Sequence, residues 1–454
     1  MRTRREQVQA QRFVVRRIVS AMLSANPESL ELPMRRMGLS ILGGAMAAVL
    51  IAVGFFVVGF LFPGGATAWK HDGTIVIEQE TGATYVYHAG ALVPMLNFAS
   101  ARLYVDSDDP AVMTIHQKSL ENTPRAHPAG IPDAPESVPD EKFLLTMPWQ
   151  VCSAVSPEGE NKLATRVILG AAPDPARDLT GQAVVLTTGG EYFLLWNDRL
   201  YRVPDQDRAL PTIGMSTADA FEVTPLLLNA IEAGPPLQIA VAGAGGAARE
   251  LGGEPRRNGD VFKVETRFYV LDGAGLHLVG ELAAKLLGWV EGGPQLTVAE
   301  MTANQSMTAI EPERFPHTVP QLASVDRDQS FAVCGAHSGQ STANGTAFGA
   351  QVHSPVTGTL TAAVPPAVAS TGATKTAEYV WQPGGTGVLA RAIGAEGNTG
   401  GTVYLVTNGR KYALTPDAVT RLGYGGTEPQ PVFESYLALV PSGPALMALG
   451  TPGS

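Results

Sequence analysis

Charge is scarce in this sequence. Only 16% of its 454 residues are Asp, Glu, Lys or Arg, against 45% apolar. Such a chain can bury a large core and is not globally disordered. The net charge of −10 is unevenly spread. Residues 1–37 hold eight arginines and three glutamates, so the remainder carries 24 basic and 39 acidic side chains. An acidic body of this kind argues against a nucleic-acid surface. The usual catalytic words are missing too. There is no G-x-x-x-x-G-K-[ST] to cradle a phosphate, no G-x-S-x-G and no H-E-x-x-H. The eight histidines never fall at i, i+4, so no helix offers a zinc pair. Asp108-Asp109 and Asp326/Asp328 lie in polar runs that fit solvated turns better than acid/base work. No catalytic, metal or cofactor residue is expected.

One stretch imitates a dinucleotide site. In "QIAVAGAGGAARELGG" (238–253), Gly243, Gly245 and Ala248 fit G-x-G-x-x-A, with Glu265 at ribose distance. A helix there would end at Gly252-Gly253, and Glu265 opens a strand of its own. A flexible or edge loop is the expectation.

Long apolar runs are absent except for one. Gly38–Phe62 is 25 residues without a charge, preceded by Arg35 and Arg36. As a helix it reaches about 37 Å, enough to cross a bilayer. The basic flank keeps the N-terminus in the cytoplasm and places residues 63–454 outside the plasma membrane. A cleaved signal peptide ending near Ala66-Thr67-Ala68 is the alternative, and the run is long for one. Before it, Val8, Val15, Ile18, Val19 and Met22 recur at helical spacing beside Arg4, Arg5, Arg12, Arg16 and Arg17. They describe a basic amphipathic helix that lies on anionic lipid or on a cytoplasmic partner, with Asn26-Pro27 as its end. Arg12, Val15, Arg16 and Val19 are its candidate contact residues.

The 50 glycines and 34 prolines favour short strands and turns. Four segments share a hairpin-then-helix profile: 84–103, 191–210, 266–287 and 402–422. Their turns are Ala89-Gly90, Asn197-Asp198, Asp272-Gly273 and Asn408-Gly409. Pro204-Asp205 and Pro416-Asp417 open the helices of the second and fourth.

Cysteine occurs twice, in the look-alike words "WQVCSA" and "FAVCGA". Cys152 and Cys334 are 182 residues apart, and Tyr85 and Phe268 of the first and third repeats are 183 apart. The chain is therefore written as hairpin–helix, cysteine word, hairpin–helix, twice over. Extra length before the last repeat falls in the Gly/Ser/Thr-rich stretch 338–363. A duplicated chain folded about a pseudo-two-fold axis would bring two central cysteine strands together, a geometric reason for a disulfide outside the cell. Two free buried cysteines are the alternative. The Pro-rich stretch 121–141 reads as a linker, and the tail after Leu439 as an extended segment able to pack on a partner or on the chain itself.

The run "ETGATYVYHAGALVPMLNFASARL" (80–103) resembles the signature of the EccB family of type VII (ESX) secretion. The matching positions are Pro94, Asn97, Ser100, Ala101, Arg102 and Leu103, and the leader, anchor, cysteine words and repeats extend the resemblance over the whole chain. It implies a single-pass membrane protein with an extracytoplasmic, β-rich α+β body. A central β domain closed by Cys152–Cys334 would carry four small hairpin-plus-helix repeat domains in pseudo-two-fold arrangement. The expected divisions are a cytoplasmic basic helix (1–37), a transmembrane helix (38–62), repeat 1 (63–120) and a linker with the first central half (121–180). Repeat 2 (181–235), repeat 3 (236–310), the second central half with its loop (311–370), repeat 4 (371–430) and a tail (431–454) follow. The resemblance also implies a structural role in a secretion membrane complex with EccC, EccD and EccE components, self-association of the outer body, and contact of the leader helix with the cytoplasmic side of the complex. Likeness of the repeats to a wall-binding lysin subunit adds peptidoglycan as a further partner. Members of the family are often labelled ATPases, which would make ATP a ligand. The residues here offer no phosphate loop, and residues 1–37 are too short for a nucleotide fold.

Overall fold

The computed structural model describes residues 4–24, 33–61, 67–156, 162–170, 177–178, 182–197, 199–323, 331–342, 345–353, 376–394 and 401–450. Asn26-Pro27, Asp198, Asp326 and Asp328 lie outside them. The chain divides into two compact units, residues 1–71 with 115–122, and residues 72–114 with 123–454.

The first unit holds α1 (Arg4–Ser24) and α2 (Pro33–Leu61). Within α2, Gly38–Val57 has a mean hydropathy of 2.3 and no buried side chain. By length and composition this helix can cross a membrane. Every side chain of α1 from Arg4 to Val19 is exposed.

The second unit is β-rich. Strands β1 (Ile75–Glu78), β2 (Thr84–His88) and β3 (Ala91–Pro94) precede α3 (Phe98–Tyr104) and β4 (Val112–Ile115), in sheet order β3-β2-β1-β4. Helix α4 (Gln117–Leu120) follows in the chain and belongs to the first unit. Next come β5 (Trp149–Val155), β6 (Leu163–Leu169) and the short β7 (Arg177–Asp178). A second sheet, β10-β9-β8-β11, is made from β8 (Gln182–Thr188), β9 (Glu191–Trp196), β10 (Arg199–Arg202), then α5 (Gln206–Thr212) and β11 (Phe221–Glu222), ending in α6 (Pro225–Ala230). The ribbon β12 (Ala247–Leu251) and β13 (Glu254–Arg257) leads to β14 (Val261–Val264), β15 (Arg267–Leu271) and β16 (Leu276–Val279), with α7 (Glu281–Leu286) and α8 (Val298–Asn304). After β17 (Gln321–Leu322) come β18 (Ala332–Thr342), β19 (Gly345–His353) and β20 (Tyr379–Trp381). The last sheet, β23-β22-β21-β24, comprises β21 (Val388–Ile393), β22 (Val403–Thr407), β23 (Arg410–Leu414), α9 (Pro416–Arg421) and β24 (Gln430–Phe433), with α10 (Glu434–Leu439).

The hairpins read from sequence are the second and third strands of larger units. Each is preceded by a strand that completes a meander. Beyond the helix, β11 and β24 return parallel to β8 and β21, and Gln295 bridges Lys263 in the same sense. The chain then runs back along the free edge of the third strand, through Arg125, Ala233, Gln305 and Ser442. The stretch 121–141 is thus not a free linker, and the tail packs on the chain's own body, as the sequence allowed. Ala126 N–H bonds Leu92 O at 2.8 Å, and Leu446, fully buried, closes on Ala413 O. These bridges cover the outer edge of the third strand in each unit.

Turn chemistry held at some corners and not at others. Ala89-Gly90 and Asn408-Gly409 have positive φ at both residues, the geometry a two-residue hairpin requires. The Asp272-Gly273 corner is instead a longer loop to Gly275, because the Asp272 carboxylate accepts from the Ala274 and Gly275 N–H groups. Pro416 is the first residue of α9, while Pro204 lies ahead of α5, whose cap is Asp205. The dinucleotide look-alike is a glycine turn running into β12, a strand rather than a helix. Glu265 sits in the turn between β14 and β15 at φ 54° instead of opening a strand. Of the Gly/Ser/Thr-rich stretch, residues 338–342 and 345–353 pair as the β18–β19 hairpin rather than a loop, and the rest lies outside the described residues.

The central sheet has the order β20-β6-β5-β18-β19-β7. Edge pairing crosses between halves: β17 runs parallel to β8, and Leu144 bridges Gly387, which immediately precedes β21. Trp149, Val151, Val167, Leu169 and Val333 share one core with α6, α10 and strands of the second and fourth sheets.

Candidate functional site

β5 and β18 are antiparallel, with Cys334 directly opposite Cys152. The two are disulfide-bonded, both fully buried, with Cα atoms 4.0 Å apart. Ala154, Ile168 and Ala332 surround the bridge on that face, and Trp381 packs against them. Small neighbours leave room for the sulfurs, and alternation along the strand sends Val151 and Ser153 to the other face. There Ser153 Oγ accepts from Thr224 N–H at 3.0 Å, and Thr165 donates to Thr224 Oγ1 at 2.8 Å, fixing the start of α6 on the seam. Arg166 is buried on the cysteine face. It donates to Val155 O at 2.8 Å and stacks on Tyr379 at 5.4 Å, and burial pulls its guanidinium below the ordinary arginine range.

The signature residues converge on one joint. Asn97 caps α3 by accepting from Ser100 N–H at 2.9 Å, and its amide donates to Ile131 O at 2.8 Å. Ser100 Oγ accepts from Ile131 N–H at 2.8 Å. Both backbone groups of Ile131 are therefore held by side chains of one helical turn. Pro94 O accepts from Ala129 N–H. Ala101 lies in the core of the first sheet, and Leu103 reaches that of the fourth. Gly130 passes so close that a Cβ would meet Ser100 Oγ at 2.9 Å.

Arg102 extends the joint to the fourth sheet. Its Nε donates to Arg421 O at 3.2 Å, and Arg421 Nη1 donates back to Leu103 O at 3.0 Å. These arginines hold equivalent places near the ends of α3 and α9. Across the second and third sheets, Arg208 of α5 donates to Leu286 O at the end of α7. The internal correspondence Arg102-Leu103 with Arg421-Leu422 was visible in sequence as a shared Arg-Leu ending; the pairing was not. Beside the first joint lies a cavity of about 750 Å³, lined by Arg102, Asp108, Asp109, Asp140, Glu141 and Gly423 among others. Burial lowers the Arg102 guanidinium, and the surrounding carboxylates act against that. Among the described residues no group of three or more His, Cys, Asp or Glu side chains that could hold a metal ion occurs. Arg12, Val15, Arg16 and Val19 all stand exposed on α1, in the other unit.

A family model described as type VII secretion system ESX-1, transport TM domain B, matches residues 1–449. The "ESX-3 secretion system ATPase EccB3" of Mycolicibacterium smegmatis is 28% identical over 480 residues, covering 97% of this chain and 89% of that protein. The "ESX-1 secretion system ATPase EccB1" of Mycobacterium tuberculosis is 26% identical, covering 73% and 71%. Among solved structures, a chain of an intact ESX-5 inner membrane complex superposes with a TM-score of 0.64 at 23% identity, covering 99% of this chain and 94% of that one. A chain of the EccB3 dimer from the ESX-3 core complex gives 0.61 at 24%, covering 83% and 100%. At such identities the superpositions speak to shared fold. With the family model spanning nearly the whole sequence, the chain belongs to the EccB family of the type VII secretion system.

Proposed function

We propose that this chain is a structural component of a type VII secretion membrane complex, anchored by α2 and organising the extracytoplasmic face with its β-rich body. The observation that carries it is the seam. Two halves exchange edge strands and are bonded across β5 and β18, which makes a body suited to bearing load rather than to opening and closing around a substrate. In this view the four meander-and-helix units act as repeat domains about a pseudo-two-fold axis. They offer surfaces to further copies and to EccC, EccD and EccE components. Purification of the membrane complex with and without this chain tests the role; an intact complex in its absence would refute it.

The relatives' names carry a second reading, ATP hydrolysis. Turnover that follows the purified chain through independent preparations, and is abolished by a point substitution, would establish it. The lack of a phosphate loop in the sequence favours the scaffold.

A further inference from the structure

The cavity beside the Arg102 joint is far larger than the space at the equivalent joint, and its lining selects an occupant. We propose that it is a groove that docks an extended basic peptide segment of a partner protein, with Lys or Arg side chains laid against Asp108, Asp109, Asp140 and Glu141. The inference rests on this groove alone and is independent of the scaffold role.

The two joints are built alike. Arg102 of α3 donates to Arg421 O, and Arg208 of α5 donates to Leu286 O. Between the second and third sheets the space left over is about 130 Å³. Between the first and fourth it is about 750 Å³, the size of a ligand pocket. Segments 108–110 and 139–141 line it together with Gly423, Gly425 and Gly426. A Cβ on Gly426 would meet nothing within 4 Å. Both segments are held in place. Arg102 Nη2 donates to Asp108 O at 2.8 Å, and the Tyr424 hydroxyl donates to Pro139 O at 2.6 Å. The groove is therefore preformed, which lowers the ordering cost of filling it.

Its chemistry is mixed. Phe98, Val112, Val138 and Leu422 supply apolar surface, and four carboxylates stand against one guanidinium, that of Arg102. Glu141 accepts from the Thr427 hydroxyl, and Asp140 lies 3.6 Å from Lys142. Among the described residues Asp108 and Asp109 spend their carboxylates on no hydrogen bond or ion pair. The excess of carboxylates disfavours an anion. A compact metal ion is not matched either, since among the described residues no three such side chains converge as its ligands. What fits is a chain with several cationic heads on apolar stems. Lys and Arg lay their stems on apolar surface while their heads reach carboxylates. A linear polyamine supplies the charges but no backbone or further side chains to occupy the remaining volume.

The test uses the full chain in nanodiscs of phosphatidylcholine, so that no anionic lipid competes for the probe. The probe is a fluorescein-labelled hexapeptide with two arginines and two lysines. Its anisotropy is read at low ionic strength, where exposed charges are least screened, with empty discs as blank. Each exposed ion pair is worth up to about fivefold in affinity. Asp108→Asn/Asp109→Asn should therefore weaken binding by up to about 25-fold. Gly426→Phe fills the groove without changing any charge and should abolish binding, whereas Gly426→Ala should retain it. Thr420→Trp, at an exposed lining position on α9, is a second blocking variant, and each variant is used only if its unfolding midpoint matches the wild-type chain. Three results overturn the proposal. Binding that survives both blocking variants would be diffuse attraction to an acidic surface. Equal affinity for a peptide with glutamine at all four basic positions would remove the role of charge. Equal affinity for spermidine would remove the peptide.

Discussion

Replacing Asn97 by Ala should release the segment that closes the first sheet. Asn97 is 4% exposed and makes two kinds of bond. As cap of α3 it accepts from Ser100 N–H, and losing such a cap costs about 1 kcal/mol. Its amide also donates to Ile131 O. That carbonyl is partly buried, and leaving it without a donor costs about 1–2 kcal/mol. The two belong to one network with Ser100, so they need not add fully. The expected loss is about 2–3 kcal/mol, or roughly a 30- to 150-fold rise in local opening at about 1.4 kcal/mol per decade. Amide hydrogen exchange by mass spectrometry over peptides from 124 to 135 reads this directly, with urea unfolding as the global measure. Asn97→Asp separates the two contributions. Its carboxylate keeps the cap, so α3 stays protected, while the Ile131 segment exchanges faster because a carboxylate cannot donate. Exchange at 124–135 unchanged in both variants would refute the clamp.

Other substitutions probe independent features. Gly130→Ala, at φ 146° with Ser100 Oγ 2.9 Å from the new Cβ, should lower the unfolding midpoint more than Gly90→Ala. The latter at φ 83° meets nothing within 4 Å and costs only the left-handed penalty of about 1–2 kcal/mol. Cys152→Ser with Cys334→Ser opens a 182-residue loop, and loss of up to about 5 kcal/mol is expected in urea titrations under non-reducing conditions. A loss below about 1 kcal/mol would mean the strand exchange alone holds the seam. Asp272 gives a pH signature. Burial acts to raise its carboxyl, but the hydrogen bond to His277 and those from Ala274 and Gly275 outweigh it and hold it below the ordinary aspartate range. A depressed folded value stabilises the protein at neutral pH, and that stability is lost as pH falls through it. The gap in unfolding midpoint between the wild-type chain and Asp272→Asn should close on acidification below about pH 4; a gap constant with pH would contradict this.

The seam was legible because a duplicated word keeps its spacing: Cys152 and Cys334 repeat with the hairpins around them. The α3 signature was legible as a resemblance, and its mechanics emerge only when Ile131 comes beside Asn97 and Ser100. First strands such as Ile75–Glu78 were missed because they lack the aromatic pair that marks β2 and β9. The returning edges at Arg125 and Ser442 hide in Pro-rich stretches, where pairing depends on a partner strand brought from elsewhere. Arg102 and Arg421 lie 319 residues apart, and no local pattern connects them. The Asp272 corner imitated a hairpin turn because its side chain, bonded within its own loop and to His277, reshaped the backbone.

The most direct test of two halves bonded at one seam is a peptide map of the chain taken from membranes, with free thiols alkylated before digestion and no reductant added. Trypsin should yield a peptide from Phe143–Lys162 covalently joined to one that begins at Asp328, collapsing to two on reduction. Recovery of both cysteines alkylated and unlinked would contradict the account.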